Sequence, residues 1–175
     1  QHRQRIPIRL RRGAPIRIMV GRALAYLLMY VPVVFIDLFV LPRVFGFPHI
    51  GSIGTLIGFL LPFLLATIFF SITMAGFFRE RDTIIVTCIF FSVILLFLSG
   101  TAWPQSNMPA VWRWFSYLFP STPAIQGFIR INTMGAHLSE VSFEYLLLWF
   151  QTGVYFFTAC TSLRLMSWLR RKQII

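Results

Sequence analysis

The sequence predicts an all-α polytopic membrane protein with four transmembrane helices and a helical hairpin on the outer side. The chain of 175 residues is 57% hydrophobic and only 12% charged, and its apolar residues form long unbroken runs. A soluble domain of this length would leave too much of that surface in water. The third observation is that the basic residues gather at the ends of the apolar runs, which is typical of membrane topology.

Net charge and cysteine content argue against two other classes. The net charge is +11, but nucleic-acid binders carry their basic residues as a patch interleaved with aromatic and polar groups. That pattern is absent from the sequence, so no nucleic-acid partner is expected. Cys88 and Cys160 both fall inside apolar runs, where they indicate small hydrophobic residues and neither a metal site nor a disulfide.

Four apolar runs are long enough to be transmembrane spans, since a helix needs about 20 apolar residues to cross the hydrocarbon core. The second run contains no charged residue, and Pro62 is its expected kink point. Proline and glycine inside such runs are compatible with spanning helices. The predicted spans are 23–45, 52–78, 83–103 and 145–163.

The distribution of lysine and arginine predicts the orientation. With four spans, one side holds residues 1–22, the link 79–82 and the tail from Arg164, and this side carries 13 basic residues. The other side carries three, namely Arg43, Arg113 and Arg130. The positive-inside rule therefore places the first set, and both termini, in the cytoplasm.

Residues 104–144 then lie on the outer side and are interrupted by prolines. Two half-helices are expected, at about 109–119 and 122–133, because each shows an apolar and a more polar face. The first is about half a bilayer long. The pair forms either a re-entrant hairpin that enters the membrane and returns, or two amphipathic helices lying at the interface. The residues alone do not choose between these.

The wheel of each half-helix predicts which residues share a face. In the second, Ala124, Phe128 and Ile131 form the apolar side, with Ser121 or Thr122 as the cap and Pro123 at the first position. In the first, the apolar face contains Val111, Phe115, Leu118 and Phe119, opposite Arg113, Ser116 and Tyr117.

This hairpin resembles a known family. Ser99-Gly100 closes a span, Trp103-Pro104 and Met108-Pro109 follow, and the turn contains Pro120 and Thr122. Together they resemble the last third of type-two ATP-binding-cassette export permeases, whose third to sixth spans would correspond to residues 13–170. The resemblance implies an outer hairpin or gate formed by Ser99, Gly100, Pro104, Met108, Pro109, Trp112, Pro120, Thr122 and Pro123.

The resemblance implies a permease subunit of an exporter in the inner (cytoplasmic) membrane. Such a subunit moves a lipid-like, glycan or drug-like substrate and works as a dimer with itself or with a related chain. No G-x-x-x-x-G-K-[ST] phosphate loop occurs in the sequence. We therefore expect no cofactor on this chain, with ATP and magnesium bound by a partner ATPase subunit.

The resemblance also implies cytoplasmic elements that contact the ATPase. The first is the basic stretch with a bend at Gly13 and Pro15, for which anchoring on anionic lipid is the alternative. The second is the short link between the second and third spans, whose mixed charge would also suit any cytoplasmic turn. The candidate coupling residues are Arg9, Arg11, Arg12, Gly13, Pro15, Arg17, Arg79, Glu80, Arg81 and Asp82.

Asp37 is the acid within a predicted span, where an ionisable group usually has a partner or a role. We expect it to pair with Arg130 or Arg113 of the hairpin; proton coupling is the alternative.

Two other function classes compete with the permease. A membrane-embedded transferase would use His137 and Glu140, spaced three apart, with Glu144 nearby, as a metal site or an acid–base pair. An ion-coupled secondary transporter would show broken helices in matching halves, and the sequence contains no such internal repeat.

Overall fold

The computed structural model describes residues 14–46, 51–77, 81–103 and 105–172, and within these ranges the chain is helical with short connections and no strand. Two of its helical segments, Met19–Phe45 and Ile53–Gly76, are long and apolar enough to cross a membrane. The helices are α1 (Ala14–Phe35), α2 (Leu41–Phe45), α3 (Ile53–Phe77), α4 (Arg81–Leu98), α5 (Ala110–Ser116), α6 (Ser121–Met134) and α7 (Ser142–Lys172).

The remaining two predicted spans correspond to α4 and α7. In α4 the apolar stretch of described residues, Ile85–Leu98, is shorter than a full crossing. Helix α7 has 31 residues, so it is about 46 Å long. Pro62 lies inside α3, which continues through it without ending.

A π-turn, Ile36–Val40, joins α1 to α2 without ending the helical path. Pro42 has no N–H to give to the carbonyl four residues before it. The preceding Leu41 N–H donates to the Ile36 carbonyl, five residues back, which is the hydrogen bond that defines a π-turn. The path ends at Gly46, whose left-handed backbone (φ 65°) closes α2.

Helices α3 and α7 form the centre of the bundle and run parallel. Three contacts in order along both helices show this: the Phe59 and Tyr145 rings are 6.4 Å apart, the Thr152 hydroxyl donates to the Pro62 carbonyl at 3.1 Å, and the Thr73 and Thr158 hydroxyls are 3.1 Å apart. Further along, Gly76 lies directly against Ser162, so the two backbones approach closely.

Helix α1 runs antiparallel to this pair. Its first turns pack Met19 and Ala23 against Ile68 of α3 and Ala159 of α7. At the other end, Leu38 of the π-turn joins the cluster formed by the first halves of α3 and α7. The start of α1 and the ends of α3 and α7 therefore share one end of the bundle.

Candidate functional site: a helical hairpin against α3 and α7

The candidate site is the hairpin, by which we mean α5, α6 and the turn of residues 117–120 between them. Helix α5 follows Pro109 and covers part of the predicted half-helix 109–119. Helix α6 covers the predicted 122–133 and ends at Gly135, whose φ of 69° gives a left-handed C-cap.

The apolar face of α5 points away from the protein. Val111 is 78% and Leu118 56% exposed, whereas Ser116, from the opposite face, is fully buried, as is Phe119. Of the polar face, small Ser116 packs inward, whereas Arg113 is exposed. This is the arrangement expected where lipid is the solvent, since apolar faces then need no burial in protein and small residues allow helices to approach.

The predicted cap of α6 is wrong. The helix begins at Ser121 with Pro120 as its N-cap residue, so Pro123 occupies the third position and not the first. Among the described residues, the hydroxyls of Ser121 and Thr122 find no hydrogen-bond partner. The backbone closes the turn instead, because Thr122 N–H donates to Phe119 O and Ala124 N–H to Pro120 O, each at 3.3 Å.

Helix α6 packs its predicted apolar face on α3 and α7. Ala124 and Ile131 are buried with Phe59 of α3 and Leu148 of α7 in one cluster. Gly127 lies against the Phe59 ring so closely that a β-carbon has no room. The contact between these helices therefore depends on a glycine.

Two side chains of α7 bind the turn of the hairpin. Gln151 donates its amide N–H to the Tyr117 carbonyl at 2.7 Å, and the Tyr155 hydroxyl donates to the Leu118 carbonyl. Measured from Ser142, these two residues lie about 14 Å and 20 Å along α7. The turn therefore sits beside the first half of α7, between about two and four helical turns from its start.

Phe119 fixes the turn against two further helices. Its buried ring lies 6.0 Å from that of Phe70 in α3 and 6.4 Å from that of Phe91 in α4. Phe70 is about 25 Å along α3 from its start at Ile53. Contacts on three helices thus hold the turn well inside the bundle.

An ion pair joins the other end of α6 to α7. Arg130 Nη1 lies 3.0 Å from Glu144 Oε1, and Glu144 is 4% exposed. The expected pairing of Asp37 with Arg130 is therefore wrong, because Glu144 occupies that arginine. Asp37 lies exposed on the π-turn, and within the described residues neither it nor Arg113 forms an ion pair.

The His137 and Glu140 pair closes a turn. His137 N–H donates to Glu140 Oε2 and Glu140 N–H donates to His137 O, both at 3.0 Å. Among the described residues no group of histidine, cysteine and acidic side chains could hold a metal ion. The transferase hypothesis loses its main support, since a local turn explains the pair.

The remaining predicted site residues are spread over both ends of the bundle. Ser99 and Gly100 end α4, where Ser99 Oγ donates to the Leu96 carbonyl at 2.7 Å and Gly100 has a φ of 89°. Pro15 and Arg17 lie in the first turn of α1, and Arg81 and Asp82 begin α4. Outside the described residues lie Arg9, Arg11, Arg12, Gly13, Arg79, Glu80 and Pro104.

Three residues of α7 hold the hairpin, and this role was not predicted for any of them, although Glu144 was named beside His137 and Glu140. Glu144, Gln151 and Tyr155 are spaced seven and four apart, so they share one face of a helix. A polar stripe at this spacing on an apolar helix is a signal for a buried hydrogen-bonding partner.

Removal of the Tyr155 hydroxyl tests this anchor. For Tyr155→Phe we expect faster hydrogen exchange of the backbone amides in residues 115–121, because loss of one hydrogen bond to a carbonyl costs about 1 kcal/mol. Tyr145→Phe is the matched control on the same helix, since no hydrogen bond of its hydroxyl is found among the described residues. Equal exchange in both variants would contradict the anchoring role.

The two long apolar helices and the helical fold are typical of a multi-pass membrane protein. Residues 8–160 match the family model described as ABC-2 family transporter protein. The chain thus belongs to this family and is the membrane permease component of an ABC transporter, a transport component and not itself a catalyst. Among curated proteins and among solved structures, none matches the chain.

Proposed function

We propose that this permease exports a lipid-like, glycan or drug-like substrate, and that its hairpin is re-entrant and closes the outer end of the route. The observation that carries the proposal is the binding of the hairpin turn by Gln151 and Tyr155. If α7 begins at the outer surface, its residues at this level lie about halfway across a hydrocarbon core of roughly 30 Å. Helices lying flat at the interface would not reach that depth.

In the proposed topology the chain crosses the inner (cytoplasmic) membrane four times, and both termini lie in the cytoplasm. The parallel course of α3 and α7 supports it, because helices separated by one further span and a re-entrant hairpin must cross in the same direction. The end of the bundle that holds the start of α1 carries exposed Arg17 and Arg22. The tail with Arg170, Arg171 and Lys172 follows at that same end, in agreement with the positive-inside rule.

The proposed energy source is ATP hydrolysed by a partner subunit, with ATP and magnesium bound there. The family membership supports an ATPase partner, and the sequence contains no phosphate loop of its own. We propose that the basic stretch before α1 is the main contact with that partner and the link at residues 79–82 a second one. A second permease chain, identical or related, would complete the transporter.

Co-purification tests the proposed partner and its contact. The full-length protein, gently solubilised from its own membrane, is expected to retain an ATP-binding-cassette ATPase, and the variant with Arg11→Glu and Arg12→Glu is expected to lose it. The variant with Arg170→Glu and Arg171→Glu is the control, since it makes the same charge change in the tail. Absence of an ATPase from the unmodified protein would overturn the proposal.

A further inference from the structure

The turn of the hairpin leaves buried oxygens without a partner. Among the described residues, the hydroxyls of Ser121 and Thr122 and the side-chain oxygen Oε1 of Gln151 find no hydrogen bond. Thr122 is fully buried and Gln151 is 5% exposed. A buried polar atom without a partner costs free energy, because it has given up its hydrogen bonds to water. A conformation of the turn that gives one of these oxygens a partner would remove part of that cost.

The first turn of α6 contains residues suited to a different start of the helix. As the structure has it, α6 begins at Ser121 after Pro120, and no side chain caps it. The two backbone hydrogen bonds that close this turn are both long, at 3.3 Å. If α6 began two residues later, Thr122 would be the N-cap and Pro123 the first helical residue. Threonine is a preferred N-cap and proline is preferred at the first helical position, so the Thr122 hydroxyl would then accept a backbone N–H.

The two starts of α6 satisfy different polar groups. With the observed start, Gln151 and Tyr155 of α7 donate to the carbonyls of residues 117 and 118. An N-cap residue has an extended backbone, so the later start would turn the chain just before Thr122 and move those carbonyls away from α7. The rest of α6 stays in place in either case, because Gly127 packs directly on the buried Phe59 ring. Loss of the hydrogen bonds to α7 is thus offset by a new N-cap.

We propose that the hairpin turn is a two-state switch. In the first state, which the structure shows, α7 binds the turn and α6 begins at Ser121. In the second, less populated state, α6 begins at Pro123, Thr122 caps it, and Gln151 and Tyr155 release the turn. The two states exchange without unfolding of the hairpin, since only the residues before Ala124 change conformation. The switch is a property of the hairpin alone, and only its use in opening the outer end of the route rests on the proposed function.

Saturation-transfer NMR of the full-length protein in phospholipid nanodiscs tests for the second state. With ¹³C in threonine and isoleucine, the Cα and Cβ shifts report whether a residue is helical or extended. We expect a minor state in which Thr122 is extended while Ile129, in the middle of α6, stays helical. Tyr155→Phe is expected to raise the population of this state about fivefold, because it removes one hydrogen bond of the first state. Tyr145→Phe, the control on the same helix, is expected to leave the population unchanged.

Hydrogen exchange of the amides in residues 117–122 gives a second readout. Thr122→Val keeps the shape and helix propensity of threonine but cannot cap a helix, so we expect exchange to slow by about fivefold. Thr133→Val, at an exposed position of the same helix, is expected to leave it unchanged. The switch is overturned if Thr122 has no extended minor state, if Ile129 unfolds together with Thr122, or if Thr122→Val exchanges as fast as the unmodified protein. Neither readout needs an ATPase partner, so failure of the proposed function would not alter them.

Discussion

Replacement of Gly127 by leucine is expected to lower the free energy of unfolding by about 3 kcal/mol, the upper part of the range for overpacking a core. The Phe59 ring lies directly against the Gly127 backbone, where even a β-carbon would overlap it. The ring cannot move aside freely, because Phe59 is fully buried in the cluster that joins α3, α6 and α7. The leucine would therefore push α6 off α3.

Thermal unfolding in detergent micelles measures this effect. For a chain of this length, a loss of about 3 kcal/mol corresponds to a fall of roughly 6–12 °C in Tm. Gly153→Leu is the matched control, since Gly153 lies within α7 with open space at its β-position. It is expected to keep or slightly raise Tm, because glycine inside a helix is unfavourable by about 0.5–1 kcal/mol.

A compensating change separates the steric cause from a general effect of leucine. Phe59→Ala combined with Gly127→Leu is expected to recover part of the loss, because the smaller side chain at position 59 makes room for the larger one at 127. The steric account would be wrong if Gly127→Leu unfolded at the same temperature as the unmodified protein. It would also be wrong if the double variant were as unstable as the sum of the two single ones.

The second large effect is expected from Arg130→Ala, which removes the partner of a buried carboxylate. Glu144 has one oxygen paired with Arg130, and no hydrogen bond of its other oxygen is found among the described residues. Without Arg130, the buried Glu144 carboxylate would keep no partner on either oxygen among the described residues. We expect a loss of about 2–4 kcal/mol, less than for a fully buried pair because the Arg130 side chain is half exposed.

The test again compares variants by Tm. Arg113→Ala is the control, an arginine of the same hairpin that is exposed and forms no ion pair within the described residues. Glu144→Gln is expected to lose less than Arg130→Ala, since its amide oxygen still accepts from Arg130 and no charge is left buried. If Arg130→Ala and Arg113→Ala unfolded at the same Tm, the ion pair of Arg130 with Glu144 would make no contribution to stability.

The length of the apolar runs and the position of the charged residues predicted where the helices lie. A membrane span needs a long apolar stretch, and its charged residues gather at the ends. Apolar runs predicted helices in the regions of α1, α3, α4 and α7, and prolines marked the two half-helices. It could not place the faces of α5, because a wheel gives which residues share a face but not whether lipid or protein lies opposite that face. In the structure Val111 is exposed and Ser116 is buried.

Contacts between residues far apart in the chain could not be predicted from the sequence. Asp37 was expected to pair with Arg130 or Arg113 because all three are charged and were predicted near the outer side, but Arg130 lies 3.0 Å from Glu144 of α7 instead. Similarly, Gln151 and Tyr155 bind carbonyls more than 30 residues away, and backbone carbonyls carry no signal in a sequence. The spacing of these α7 residues indicated a buried face without naming its partner.

Cysteine accessibility in intact membranes tests most directly whether the hairpin enters the bilayer. In a chain whose Cys88 and Cys160 are replaced by alanine, Leu118→Cys places a thiol at the hairpin turn. Met134→Cys places one at the last residue of α6, which the proposed topology puts at the outer surface. Both side chains are exposed in the protein, at 56% and 73%. A difference in labelling between the two thiols would therefore come from shielding by lipid and not from burial in the protein. A membrane-impermeant maleimide is expected to label position 134 and spare position 118 until detergent is added. Rapid labelling of both positions in intact membranes would contradict a re-entrant hairpin and indicate helices lying at the interface.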